Sequence, residues 1–375
     1  MKRILISNGR SPITLDFIRS LSHSDHEIYV SETSNFQLSR FSNCVKKCFI
    51  VPSPRFSPKQ HVEKLIQLIE SNKIDLFIPA WEDVFLISKH LKEFPPSCFV
   101  FTSDYTLLHK LHHKGLFIKL LNSLEIKAPQ TFWIDSKEAL THIPLSQYAL
   151  KACYSRASQE VFKITKGDPL PLIDPTPQTP WIAQEWLNGE SFCTFSLCHE
   201  GHVSAHATYP VDFGSYCLTF RSIDHDPILK WVQDFVKKTN YTGQIAFDFI
   251  ETQNRELFAI ECNPRITSGI TLFAKGVDQA LFNENSTLIK GDPSIQKQLL
   301  LGMLLYGWKS AKAAKKLPLY FNKLFHSKDL TFLKGDPLPF LAQITFLWLK
   351  HLYDIRLYKK RLHGAFTHDL DFNGD

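Results

Sequence analysis

No run of apolar residues in this 375-residue chain approaches about 18, so no transmembrane helix is expected. The opening residues, Met1-Lys2-Arg3-Ile4-Leu5-Ile6-Ser7, pass straight into a short strand without the apolar stretch of a signal peptide. A cytoplasmic protein is the expectation. The eight cysteines contain no C-x-x-C pair and no regular framework, and Cys44 and Cys48 stand four apart without accompanying ligands. All are read as buried or incidental reduced thiols. The turn after the first strand, Ser7-Asn8-Gly9-Arg10-Ser11-Pro12, lacks G-x-G-x-x-G, which argues against a nicotinamide or flavin site. No block of one charge dominates. The 43 basic and 37 acidic residues leave a net charge of +6, too mild to argue for nucleic acid but compatible with polyanionic small molecules such as nucleotides.

What is present supports a sizeable core, since 44% of the residues are hydrophobic and 30 are Phe. The length allows about two or three domains. The N-terminal part alternates strand and helix. Ile4–Ile6, Glu27–Val30, Phe49–Val51 and Leu76–Pro79 read as strands, with helices near Thr14–Ser22 and over Val62, Leu65, Ile66 and Ile69. Such alternation predicts parallel strands with covering helices. A helical piece follows over Tyr105–Leu124, then a strand at Tyr148–Lys151, a Pro-rich loop from Asp168 to Pro180 and a strand at Trp181–Leu187. Phe192–Leu197 and Gly201–Tyr209 read as antiparallel strands, and Ile228–Lys238 as an amphipathic helix. From about Asp278 the pattern turns helical, with apolar helices near Gln298–Trp308 and Phe340–Tyr353 and basic flanks at Lys309–Lys316 and Lys359–Arg361. This tail reads either as a helical cap on the core or as a partner- or membrane-surface element.

The densest chemistry lies in Gly243–Ile250 and Glu256–Arg265, two apolar strands about the turn Gln253-Asn254-Arg255. Asp248 is in the first strand. Glu261 and Asn263 end the second and, being two apart, share a face. A hairpin can bring Asp248 opposite them. Two carboxylates and a carboxamide suit Mg²⁺ (or Mn²⁺), and a carboxylate ending the apolar run Leu257–Ile260 is costly unless paired or metal-bound. Arg265 follows, suited to a forked phosphate contact.

These residues resemble the metal-binding D…E-x-N-P-R signature of the ATP-grasp superfamily, and the resemblance extends from Lys2 to about Leu272. It implies an α/β protein with an N-terminal parallel α/β domain (1–103), a linker helix and lid subdomain (104–185), an antiparallel-sheet catalytic subdomain (186–278) and a C-terminal helical extension (279–375). It implies that Asp248, Glu261 and Asn263 hold Mg²⁺ on ATP and that Arg265 stabilises the transferring phosphate. Lys114 and Lys151 look like the two nucleotide lysines, and two ammonium groups suit a triphosphate. Gln184-Glu185-Trp186-Leu187 resembles the adenine-reading hinge, and Glu190 the residue that binds ribose hydroxyls. The usual glycine-rich flap is replaced by Ala152–Val161, which contains no glycine; Ser155, Arg156 and Ser158 offer donors there.

The openings Ile6–Leu15 and Ile78–Asp83 resemble the carbamoyl-phosphate-synthase-like branch of carboxylate–amine ligases. Asp336–Phe340 and His368–Asp371 share that likeness without an evident role. The implied chemistry is a substrate carboxylate taking the γ-phosphate of ATP as an acylphosphate, which an amine then displaces. Candidate substrate contacts are Glu82, for an amine or as a plain charge at a helix start, Arg221 for a carboxylate or as a surface arginine, and Arg156, Thr267 and Ser268. Partners would be small molecules, with a homodimer possible. The alternatives are a small-molecule kinase and a non-catalytic nucleotide-binding module using the basic tail.

Overall fold

The computed structural model describes residues 1–155, 160–212, 217–282, 287–347, 352 and 367–374. Five strands, β1 (Arg3–Ser7), β2 (Glu27–Glu32), β3 (Lys47–Ile50), β4 (Leu76–Ile78) and β5 (Phe99–Val100), form an all-parallel sheet in the order β3-β2-β1-β4-β5. Helices cover both faces, so its central strands alternate between two cores. Ile4 and Ile6 pack with Phe17, Ile18 and Leu21 of α1 (Pro12–Leu21). Leu5 and Phe77 pack with Val62, Leu65 and Ile69 of α2 (Pro58–Asn72). α1 starts where the Ser11 hydroxyl accepts from the Ile13 and Thr14 amides and Pro12 supplies a pre-set φ.

After α3 (Asp83–Lys89), the expected single helix over 105–124 is instead two, α4 (Tyr105–His112) and α5 (Lys114–Ser123). His113 breaks it: its ψ of 109° is extended, and its ring Nδ1 accepts from the Leu116 amide at 3.1 Å. The break places Lys114 at the first turn of α5, where the helix dipole disfavours a cation.

A four-stranded antiparallel sheet follows, in the order β6-β9-β7-β8, from β6 (Thr131–Ile134), β7 (Gln147–Ala152), β8 (Val161–Thr165) and β9 (Trp181–Glu185). It has its own small core of Ile134, Tyr148, Leu150, Ile164, Trp181 and Ala183. The segment 168–180 is a loop, as its prolines predicted. This lid rests on α5 at Gly115, where any Cβ would stand 2.5 Å from the Trp133 ring.

The largest sheet runs β14-β13-β10-β11-β15. Its members are β10 (Gly189–His199), β11 (His202–Pro210), β13 (Gly243–Thr252), β14 (Leu257–Asn263) and β15 (Ile289–Lys290), with β12 (Thr219–Arg221) outside it. At the junction from the lid, a Cβ on Gly189 would meet the Glu251 carbonyl oxygen at 2.1 Å, so only glycine lets β10 close on β13 there. The amphipathic helix α6 (Asp226–Thr239) lays Val232, Phe235 and Val236 against Phe247 and Phe249. Phe195, Leu197, Ala205 and Ala207 of this sheet share one interior with Ile4, Ile6 and Phe17, so the large sheet and the parallel sheet are packed together.

The C-terminal region is not purely helical, contrary to expectation. β15 extends the large sheet beside β11, while β16 (Gln296–Gln298) and β17 (Lys328–Asp329) form a three-stranded sheet with β12. The expected helix from Gln298 begins only at Leu300, because Gln298 is paired with Thr219. Leu304, Leu305, Trp308, Phe321 and Phe325 of the helical parts are exposed. Among the described residues no helix is long and apolar enough to cross a membrane. Asp336 acquires a clear role. The Arg19 Nε donates to its carboxylate at 2.9 Å, Ser42 Oγ at 2.6 Å and the Asn43 amide at 3.0 Å, fastening the C-terminal region to α1.

Candidate active site

β13 and β14 pair with Asp248 directly opposite Glu261, and Asn263 two residues on stands opposite Ala246. A bulge at Ile260 shifts the register by one residue there, and it is this shift that sets Glu261 against Asp248. On the other side of β13, Asp248 faces Cys193 of β10. Burial, then the neighbouring Glu261, push the Asp248 carboxyl up to about 6. Lys114 and Lys151 oppose that rise and are too few to cancel it. Two carboxylates set opposite each other across the hairpin fit a site completed by a divalent cation. Among the described residues no three His, Cys, Asp or Glu side chains converge on one point, so any such ion would need Asn263 or ligand oxygens as well.

The two lysines converge on this pair from different elements. Lys114 is buried, donates to the Ser155 carbonyl at 2.7 Å, and lies 3.6 Å from Glu261 Oε1. These contacts explain how a cation is tolerated at the start of α5. Lys151, one residue before the end of β7, is also buried and donates to Gln184 Oε1 on β9 at 2.7 Å. Burial lowers its pKa to about 8, with Glu261 and Asp248 working against that fall. A bound polyanion would raise it again.

Arg265 lies just past β14. Its Nη2 donates to Asn263 Oδ1 at 3.1 Å, its guanidinium lies 4.4 Å from the centre of the Trp81 ring, and its Nε is 3.7 Å from Glu82 Oε1. Glu82 is therefore no exposed helix-start charge. It is 2% exposed, and its second oxygen accepts from the Phe372 amide at 2.8 Å. The carboxylate pair with both lysines forms one group and Asn263, Arg265 and Glu82 a second, the two adjoining along β14, where Asn263 follows Glu261 by two residues.

No family model matches the sequence, and no curated protein does. Solved structures do match its fold. An N5-carboxyaminoimidazole ribonucleotide synthetase, solved as its ADP complex, aligns with a TM-score of 0.63 at 12% identity over 84% of this chain and 86% of its own. A biotin carboxylase from Campylobacter jejuni, in complex with an ATP analogue, aligns at 0.59 and 13% identity, over 75% and 70%. An L-amino acid ligase from Bacillus licheniformis aligns at 0.57 and 12% identity, over 72% and 69%. The chain has the ATP-grasp fold.

Within this ATP-grasp fold the hinge residues lie where β9 passes into β10, but their side chains are engaged within the protein. Gln184 is buried and holds Lys151. Glu185 Oε1 accepts from the Gln130 amide at 2.8 Å, which fixes β6 on β9. Leu187 is half-buried, and Glu190 is exposed on β10 opposite Glu251. Thr267 and Ser268 follow Arg265 and are half-buried. Arg221 stands apart from the others, exposed on β12 in the three-stranded sheet. Arg156 and Ser158 of the glycine-free flap lie outside the described residues.

Sequence reasoning overlooked two neighbours of the site. Cys193 hydrogen-bonds to Asp248 and to Cys217, and the Cys217 contact, burial and Asp248 together push its thiol well above the usual range. No spacing marked it, because the pairing crosses from β10 to β13. Phe372 reaches Glu82 from a distance of 290 residues, beyond any local pattern.

The raised Asp248 pKa yields a pH-dependent prediction. In the unfolded chain this carboxyl ionises near 3.8, and in the folded protein near 6. The folded state therefore holds the proton more tightly. Asp248 imposes no penalty below pH 3.8 and a growing one as pH rises through 6. Asp248→Asn should match the wild type in stability near pH 4 and exceed it by about 1–2 kcal/mol at pH 8. Thermal melts across that range test it, and a variant less stable than wild type at pH 8 would refute the assignment.

Proposed function

We propose that the protein is an ATP-dependent carboxylate–amine ligase that works through an acylphosphate. The observation that carries this reading is the meeting of Lys114 and Lys151 with Asp248 and Glu261, beside Asn263, Arg265 and Glu82 at the end of the same strand. The fold shared with enzymes solved with ADP or an ATP analogue supports it. Lys114 and Lys151 bind and orient the phosphates of ATP, whose charge favours the ammonium form of the buried Lys151. Asp248, Glu261 and Asn263 would hold Mg²⁺ (or Mn²⁺), which supplies charge neutralisation at the transferring phosphoryl group. Arg265, just past β14 and steadied by Asn263 and by Trp81 of the N-terminal part, stabilises the developing charge.

The substrate carboxylate attacks the γ-phosphate, ADP leaves, and an amine displaces phosphate from the acylphosphate to give an amide. Glu82, beside Arg265, is the group placed to orient the amine. Adenine and ribose would lie along Gln184–Leu187 and Glu190, with the hinge backbone reading the base, since the Gln184 and Glu185 side chains are occupied. Domain boundaries near 103, 185 and 278 follow from the same reading.

The test is phosphate release from MgATP across pooled carboxylates and amines. Release that requires one carboxylate together with one amine is the expected result. Release with a carboxylate or alcohol alone would assign a kinase. Binding of MgATP without release under any mixture would count against catalysis.

A further inference from the structure

Residues 368–374 lie across the C-terminal edge of the parallel sheet and form no ladder with any strand. Their contacts fall on successive strand ends. Beyond β3, Ser53 Oγ donates to the Asp369 carbonyl at 2.6 Å and Arg55 Nη1 to the His368 carbonyl at 3.2 Å. Beyond β1, Arg10 grips the Asp369 carboxylate with both Nη1 and Nη2 at 2.8 Å, a forked pair. Thr33, at the end of β2, touches the same carboxylate. Beyond β4, Glu82 accepts from the Phe372 amide. The Phe372 ring then stacks on Phe85 at 4.7 Å and meets Tyr154 of the flap edge-on at 6.1 Å.

β2 and β4 leave β1 on opposite sides, and open α/β sheets bind ligands at the crevice such a reversal creates. The segment fills that crevice. It does so with a carboxylate on a buried arginine and an N–H on a buried glutamate, the two polar features by which an amino-acid-like molecule is recognised. Its C-terminal half also ends one side chain away from Arg265, since Glu82 joins the two.

We propose that residues 368–374 are a built-in, displaceable occupant of the substrate crevice, with Asp369 and Phe372 standing in for a ligand that offers a carboxylate to Arg10 and an N–H to Glu82. What the crevice receives rests on the ligase reading. The ligand class is a short peptide or a similarly sized amino-acid derivative, because three extended residues span at most about 11 Å. A ligand of that size enters only as the segment leaves, so the chain competes with its own substrate.

The test uses the full-length chain without nucleotide, so it is independent of ATP turnover. A fluorescent peptide of residues 367–375 is titrated into wild type and into the double variant Asp369→Asn/Phe372→Ala, followed by anisotropy. The double variant, whose own segment competes less, should bind the peptide at least about tenfold more tightly, and the same peptide carrying Asn at the Asp369 position should bind more weakly. Equal affinity for both proteins, or no binding to either, overturns the proposal. So does a fall of more than about 10 °C in the double variant's melting temperature, which would make the segment a structural strap rather than an occupant. A failed phosphate-release screen with successful peptide exchange would remove the ligase reading alone.

Discussion

Glu261→Gln should lower MgATP-dependent phosphate release by about a hundred- to a thousandfold. The substitution keeps the shape of the side chain and removes one charge from the centre of the site. Glu261 is opposite Asp248 in the hairpin and 3.6 Å from the Lys114 ammonium, so its loss weakens the negative pair and frees a buried cation at once. The fold should survive. The variant strands share the same interior, and Asp248 is relieved of the neighbour that helps push its pKa up. The melting temperature should stay within a few degrees of wild type, against about 2–4 °C for each kcal/mol in domains of 150–250 residues. Turnover within a factor of about three of wild type would remove Glu261 from the machinery.

Asp336→Ala should destabilise the protein by about 3–5 kcal/mol, the cost of leaving one member of a buried ion pair without its partner. Arg19 is 5% exposed and Asp336 2%. The guanidinium also donates to the carbonyls of Leu330, Thr331 and Asp336, so the pair closes the C-terminal region onto α1 from several directions. Removing the carboxylate also strips acceptors from Ser42 and Asn43. Asp336→Asn should cost less, because it keeps an acceptor for Arg19. Urea or thermal unfolding of both variants measures this, and an Asp336→Ala protein within about 1 kcal/mol of wild type would contradict the anchoring role. MgATP binding should decline only as the folded fraction does, since Asp336 contacts none of the site residues described above.

Much of the candidate site was legible because its information is local. The Asp248–Asn263 hairpin is announced by two apolar runs about a short turn, whereas the bulge at Ile260 that sets Asp248 against Glu261 left no local signal. The alternating strands and helices before Val100 likewise announce a parallel sheet. Where local signals were weak, the reading slipped. The run from Tyr105 to Leu124 has helical periodicity throughout, yet His113 interrupts it because its ring caps the second helix. The C-terminal region is rich in helix-period apolar residues, and its strands β15 to β17 are only two or three residues long, too short to leave a period.

By itself the sequence determined the strand–helix alternation, the hairpin with its two carboxylates and carboxamide, and the two lysines placed before it. Those follow from side-chain periodicity and from the cost of burying charge, both written into neighbouring residues. Only the tertiary structure decided that Gln184 serves Lys151, that Glu82 meets Arg265, that Asp336 partners Arg19, and that Asp369 joins Glu32 on Arg10. Each is a buried charge or amide that must find a counterpart, and the counterpart is chosen by which strands and loops the shared core brings together, across separations from tens to hundreds of residues.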